Sequence, residues 1–308
     1  LILSLINRAV RWNRRRRRTT ILAFFAVILA VLPVIACGSS QPAQTTDKNA
    51  LLVVTTTALL ADLVRNVGGD LVEVTPLVPP GTEVHSFQST PADSVAISRA
   101  ALVVSNGGEL DEFLDPLIQG SIADSAVWAV AAAQLLDQDE TDPHFWQNPL
   151  FTVKYVAEIR DGLTAADPEN TAAYEENFNS YKDELTKLDF DIASTLDTVD
   201  PALRHLITFH DAFGHFARRY DWEITAFSAS DGSEVSPGAV VEILEKVRDQ
   251  GIPAVFAEPQ FRADVLENTA QEAGVEVGLI YSDVLDGEVT SYIDMMLFNA
   301  KSLARYLR

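Results

Sequence analysis

The chain has 308 residues, with 44 acidic against 23 basic side chains, five histidines and one cysteine. At 47% hydrophobic and 22% charged it can bury the core of one large domain or two ordinary ones, which excludes a disordered chain. A formal charge of −21 repels nucleic acid and argues against it as a partner, and a single cysteine excludes a disulfide within the chain.

Residues 1–36 hold seven arginines (Arg8, Arg11 and Arg14 to Arg18) and no acid, leaving 16 basic against 44 acidic residues in the remainder. Ile21 to Ile35 is almost wholly apolar, and ACGSS follows. Charged, then apolar, then small is the order of a secretory signal. The apolar core of about fifteen residues is short of the ~20 that a membrane-spanning helix needs. Cys37 ends the segment VIAC, which resembles the lipobox of bacterial lipoproteins, where the cysteine is acylated and becomes the first mature residue. Residues 1–36 are therefore read as a signal peptide and 37–50, containing GSSQPAQTTDKNA, as a lipidated flexible tether. The folded body is expected outside the cytoplasm, held on the outer face of the membrane by lipid on Cys37.

From Leu51 onward short β-type runs alternate with helical patterns. LLVVTT (51–56) precedes the amphipathic ALLADLVRNVGG, whose glycines end a helix. Next come LVEVTPLV (71–78), a helix over Pro91–Arg99, ALVVSN (101–106), a helix over Leu110–Gln119, and AVWAV (126–130). Four strands separated by helices predict a parallel sheet with helices on both faces. The pattern then breaks. Asp167-Pro168-Glu169 reads as a helix start, with Asp as N-cap and Pro at the first position. Apolar residues recur at Tyr174, Phe178, Tyr181, Leu185, Leu188, Ile192 and Leu196, in helical steps of three and four. A helix over Thr171–Leu196 is roughly 39 Å long at ~1.5 Å per residue, enough to cross a domain. The alternation then resumes. HLITF (205–209) precedes a helix in FHDAFGHFARRY, and EITAF (223–227) a helix from Ser236 to near Gln250. AVFAE (254–258) precedes a helix to about Ala273, and VEVGLIYS (275–282) a last helix over Thr290–Tyr306. The predicted fold is α/β, two lobes each built on a four-stranded parallel sheet flanked by helices, joined by one long helix. The expected boundaries are 51–166 for the N-terminal lobe, 167–200 for the connecting helix and 201–308 for the C-terminal lobe.

Open parallel sheets bind ligands beyond the carboxyl ends of their strands. His85 lies after the second strand, in VPPGTEVHSFQSTPAD, and His144 after the fourth, in DPHFWQNP. In the second half His210 directly follows the first strand, and Asp283 the fourth, in YSDVLDG. Four residues of metal-ligand type thus fall at ligand-binding strand ends, two from each half. If the two sheets face each other, all four converge in one cleft. Taken singly, each also has an ordinary reading as a surface or core residue. His205, on the amino side of its strand, and His215 are read as structural. At ~3.6 residues per turn His215 lies about 140° around a helix from His210, so the two share no face and form no chelate.

Several stretches, in order over nearly all of 51–308, resemble one family: ADLVRNVGGDLVEVTPLVPPGTEVHSFQSTPAD, DPHFWQNP, FHDAFGHFARRY, FAEPQF and GEVTSYIDMM. The body resembles the metal-binding solute-binding lipoproteins of bacterial zinc and manganese ABC importers. The resemblance implies two α/β lobes linked by one long rigid helix, with the metal between them. It implies a monomer that hands its ion to a transmembrane permease served by an ATPase. The family's ligand positions fall on His85, His144, His210 and Asp283. Manganese carriers of the family tend to have Glu where His210 stands and the zinc branch has His, so the expected cargo is Zn²⁺, with Mn²⁺ as the alternative. Imidazole suits zinc, whereas carboxylate-rich oxygen sets suit manganese. Three neutral imidazoles and one carboxylate make a tetrahedral-capable set. Two zinc-branch features are missing. LLDQDETDPH, before the second ligand, has no extra histidine where many members carry a long His- and Asp-rich loop, and there is no cysteine pair for a second-lobe disulfide.

A zinc hydrolase on the same residues is the other class of reading. Catalytic zinc keeps an open water position beside a general base. Glu258, ending AVFAE, can be cast as that base, but a fourth ligand at Asp283 closes the site. Asp211 reads as a first-turn acid favoured by a helix dipole, or as a group behind the ligands. Capture, and not catalysis, is the expected function.

Overall fold

The computed structural model describes residues 50–136, 142–228, 237–262 and 264–308. The expected signal peptide, Cys37 and the tether up to residue 49 lie outside these, as does Ser236. The first lobe runs β1 (Leu51–Thr55), α1 (Ala58–Gly68), β2 (Val72–Pro76), α2 (Pro91–Arg99), β3 (Leu102–Ser105), α3 (Asp115–Ser121), β4 (Val127–Val130) and α4 (Pro149–Ala166). Then comes α5 (Thr171–Leu196). The second lobe runs β5 (His205–His210), α6 (Gly214–Tyr220), β6 (Glu223–Ser228), α7 (Pro237–Gln250), β7 (Ala254–Ala257), α8 (Asp264–Ala273), β8 (Glu276–Leu279) and α9 (Tyr292–Tyr306). All strands pair in parallel, in the orders β2-β1-β3-β4 and β6-β5-β7-β8. Each order reverses direction once, at β1/β3 and at β5/β7, and such a reversal opens a crevice at the carboxyl ends of the strands.

Local chemistry sets the helix starts. Thr57 caps α1 by accepting from Leu60 N at 3.2 Å. At α2 the Asp93 carboxylate reaches back to Thr90 N at 2.6 Å, and Pro91 supplies the first helical position without an amide to satisfy. Helix α4 is not among the expected elements, although its sequence signals are ordinary ones. Asn148 accepts from Leu150 N at 3.0 Å, Pro149 follows, and Thr152, Tyr155, Val156, Ile159 and Leu163 form a buried stripe. Strands are also shorter than the apolar runs suggest. β2 stops at Pro76 and β8 at Leu279, which places Asp283 four residues past its strand instead of directly after it.

Helix α5 holds the architecture together. Its predicted apolar stripe is buried in full, from Tyr174 to Leu196. The helix packs on α1 and α4 of the first lobe and on α9 of the second, and one hydrophobic core runs through both lobes. Asp189, buried on the same face, accepts from Arg219 Nε at 2.8 Å and from Tyr220 OH at 3.0 Å, which ties α6 to α5. Tyr292 at the start of α9 adds direct ties to the first lobe. Its N–H donates to Asp62 Oδ2 at 2.9 Å and its hydroxyl to the Trp146 carbonyl at 2.6 Å.

Truncating this stripe should therefore loosen both lobes. Leu185→Ala is expected to cost about 2–5 kcal/mol in urea unfolding. Phe190→Ser, on the same helix but 70% exposed, should stay within about 0.5 kcal/mol of the parent.

Candidate metal centre

The site begins at the strand reversal of the second sheet. His210 is the last residue of β5, and Glu258 follows β7 directly. Glu258 is 2% exposed. Its Oε1 accepts from Thr208 Oγ1 at 2.8 Å, Phe209 N at 3.2 Å and His210 N at 3.1 Å. Its Oε2 lies 2.6 Å from His210 Nδ1. Burial works against a charged imidazole here, but the adjacent carboxylate outweighs it and pushes His210 up to about 9. Burial likewise works to raise Glu258, and the His210 charge and hydrogen bond hold it below its ordinary value. Nδ1 faces this carboxylate as an ion pair, and Nε2, on the other side of the ring, is buried with no hydrogen-bond partner.

His144 is built in the same way in the first lobe. It precedes the tight turn Phe145–Gln147, and its Nδ1 lies 2.8 Å from Asp142 Oδ1, which also accepts from His144 N at 3.0 Å. Burial works to raise Asp142, but the hydrogen bond and charge of His144 bring it below the usual carboxylate range. His144 Nε2 is again buried and unpartnered. The segment is braced from the first sheet's own strand ends. Asn106 Nδ2 donates to the Pro143 carbonyl at 3.2 Å, and buried Asp111 accepts from Asn106 N at 2.6 Å and Gly107 N at 2.9 Å. Gly107 has φ +82°, and a Cβ there would stand 2.6 Å from Val130 Cγ1, so both backbone and space require glycine.

Asp283 completes the centre. Its Oδ1 accepts from Gln260 Nε2 at 2.7 Å and Ser282 Oγ at 2.9 Å, and its Oδ2 is buried without a partner. The Ser282 carbonyl accepts from both Trp146 Nε1 and Gln147 Nε2 at 2.7 Å, so the first lobe grips the residue next to Asp283. Ligand atoms of His144, His210 and Asp283 all lie within 4.8 Å of one another. His85 is outside that trio, but its Nε2 is likewise buried and unpartnered. Burial lowers its imidazole, with Glu83 pulling the other way, and His144, Asp283 and His210 act on it electrostatically. Trp146 meets the His144 ring edge-on at 5.2 Å, and Phe261 lies against His210 at 4.9 Å, so aromatic carbon walls the centre.

Three expectations change. His210 sits in β5 and α6 starts only at Gly214, so no helical angle separates His210 from His215. His215 stands apart because its Nε2 bonds the Asp142 carbonyl at 2.9 Å and its ring packs on Phe145 at 4.5 Å. Asp211 is exposed and precedes α6, so it is not a first-turn acid. Glu258 faces the back of His210 with both oxygens engaged, the position of a supporting group and not of a base beside a metal-bound water. His205, at the start of β5, has both ring nitrogens occupied, by Gln250 at 2.6 Å and Thr225 at 2.8 Å. Nothing local in the sequence marks Gln260 or Ser282 for this site, and Asp142 carries one local signal, an acid two residues before a histidine.

Two lobes on a shared helix, with unpaired imidazole nitrogens and a carboxylate oxygen meeting between them, define a cleft-binding protein for a metal cation. The family model described as zinc-uptake complex component A, periplasmic (ZnuA), matches residues 53–306, and the chain belongs to this family. It is thus an extracytoplasmic metal-binding, solute-binding protein of a transport system and not an enzyme. It is 30% identical over 251 residues to the manganese-binding lipoprotein MntA of Halalkalibacterium halodurans, covering 79% of this chain and 83% of that one. The structure of the periplasmic zinc-binding protein TroA of Treponema pallidum superposes with a TM-score of 0.78 at 25% identity, over 84% of this chain and 99% of that one. A manganese-bound periplasmic metal-binding protein from Candidatus Liberibacter asiaticus gives 0.75 at 25% identity, over 84% of this chain and 100% of that one.

Glu258→Gln tests the support behind His210. The Oε1 side is committed to two backbone amides and a hydroxyl, so the new amide NH₂ faces Nδ1. Nδ1 must then accept, which moves the imidazole proton to Nε2 and blocks that atom as a ligand. Metal affinity should fall by about 10–100-fold in chelator competition, with the imidazole tautomer change visible by ¹⁵N NMR.

Proposed function

We propose that the chain captures one divalent first-row metal ion between its lobes, on His85, His144, His210 and Asp283, and delivers it to an ABC importer permease and its ATPase. The observation that carries this reading is that four of the buried side-chain atoms without hydrogen-bond partners are of metal-ligand type, Nε2 of His85, His144 and His210 and Oδ2 of Asp283, and that His144, His210 and Asp283 bring ligand atoms within 4.8 Å of one another. Buried polar atoms are normally paired, and four unpaired donors of electron density drawn from both lobes suit a cation. Delivery follows from the same division. His85 and His144 belong to one lobe and His210 and Asp283 to the other, so parting the lobes splits the ligand set.

Manganese is the cargo that the relatives support better, since the MntA lipoprotein and the Liberibacter structure are both described with manganese. Zinc is the second reading, favoured by the third imidazole at His210 and by the likeness to TroA. The two are compatible in one respect. Zinc binds almost any such nitrogen and oxygen set more tightly than manganese, so supply in the compartment decides which ion is carried. Cys37 is proposed as the lipid-bearing residue that keeps the protein at the membrane.

Calorimetry with a competing chelator should find one ion per chain, with zinc tighter than manganese. His210→Ala should weaken both by more than the ~100-fold at the upper end for an outer partner, while His205→Ala leaves them unchanged. A purified protein that binds neither ion would sink the assignment. Protein recovered from its own compartment without added metal should contain manganese, and zinc in its place would establish the second reading. Cys37→Ser should move the protein from the membrane fraction to the soluble fraction.

A further inference from the structure

We infer that Gln260 is a positioning residue that limits Asp283 to a single metal-facing oxygen and thereby sets how strongly the centre discriminates zinc from manganese. The inference rests on the metal-capture reading above. Gln260 Nε2 stands 2.7 Å from Asp283 Oδ1, 2.7 Å from Ser282 Oγ and 3.4 Å from Glu258 Oε2. A carboxylate only accepts, so the amide nitrogen and not the amide oxygen must face it. That orientation leaves Gln260 Oε1 buried with no partner. Folded proteins rarely leave a buried carbonyl oxygen unpaired. Here the donors toward Asp283 and Ser282 hold the amide in place despite it.

The consequence for Asp283 is asymmetric. Oδ1 is occupied by Gln260 and Ser282, and Oδ2 alone is free. An Asp carboxylate can give a metal one oxygen or two. With one, the set of three imidazoles and one oxygen is four-coordinate, which suits zinc. Manganese favours a larger, oxygen-rich shell, and the second carboxylate oxygen is the nearest protein atom in this residue that could extend it. Gln260 spends that oxygen on a hydrogen bond. Ser282 donates to the same oxygen, and its backbone carbonyl is held by Trp146 and Gln147, which fixes the backbone from which Asp283 projects.

The test is Gln260→Met, which keeps an unbranched side chain of similar length and removes the donors. Zinc and manganese affinities are measured on the full mature chain by chelator competition, and X-ray absorption is recorded on both loaded forms. The ratio of manganese to zinc dissociation constants should narrow by about tenfold or more, and the manganese-loaded variant should gain one oxygen neighbour relative to the parent. Ser282→Ala, which leaves the Gln260 contact to Asp283 in place, should narrow the ratio less. Equal weakening of both ions with an unchanged ratio would mean a merely structural role and would overturn the inference. So would a zinc-loaded parent with both Asp283 oxygens on the metal, a measurement that does not depend on any variant folding. If the parent binds neither ion, the function reading fails and takes this inference with it. Normal binding by the parent with an unmoved ratio removes the inference alone.

Discussion

Both lobes are packed on α5, and the geometry of the centre follows from that shared contact. Tyr174 to Leu196 bury one continuous stripe against α1 and α4 on one side and α9 on the other. Because both lobes rest on this one stripe, the helix sets how far His144 stands from His210 and Asp283. Tyr292 and Ser282 then lock the short range, both bonded across the lobes to Trp146. A metal site split between two bodies needs such a frame, since an ångström of drift would undo coordination.

Within that frame the centre is made of paired roles. His144 and His210 each keep Nδ1 on a carboxylate, Asp142 or Glu258, and each turns Nε2 inward. Carboxylate behind imidazole orients the ring and raises its basicity as a ligand. Asp283 has the complementary arrangement, with donors on one oxygen and none on the other. The buried carboxylates that favour a proton on His210 would equally favour a divalent cation on the proposed ligands, so proton and metal would compete there.

Much of the fold is readable in the chain. Short β-type runs separated by helical stretches mark the strands, and the three-and-four spacing from Tyr174 to Leu196 marks α5 along its whole length. Helix α4 is harder to see although Asn148-Pro149 is a regular helix start, because those two residues also close DPHFWQNP, whose histidine and aromatics read first as a site. The strand-end rule selects His85, His144, His210 and Asp283, and the structure gathers His144, His210 and Asp283 closely. His210 is expected just past its strand and lies within it, because β5 continues through FH to pair with Ser228.

What the sequence by itself determined is the set of periodicities and the residue types at strand ends. Both are local quantities, set by backbone hydrogen bonding and by which face of each element is apolar. What only the tertiary structure decided is which atom each residue offers. Glu258 became the partner of His210, and Gln260 the partner of Asp283, through contacts 48 and 23 residues apart. No local pattern marks such pairs. An imidazole has two nitrogens and a carboxylate two oxygens, and the one left for a metal is known only when the partner of the other is in place.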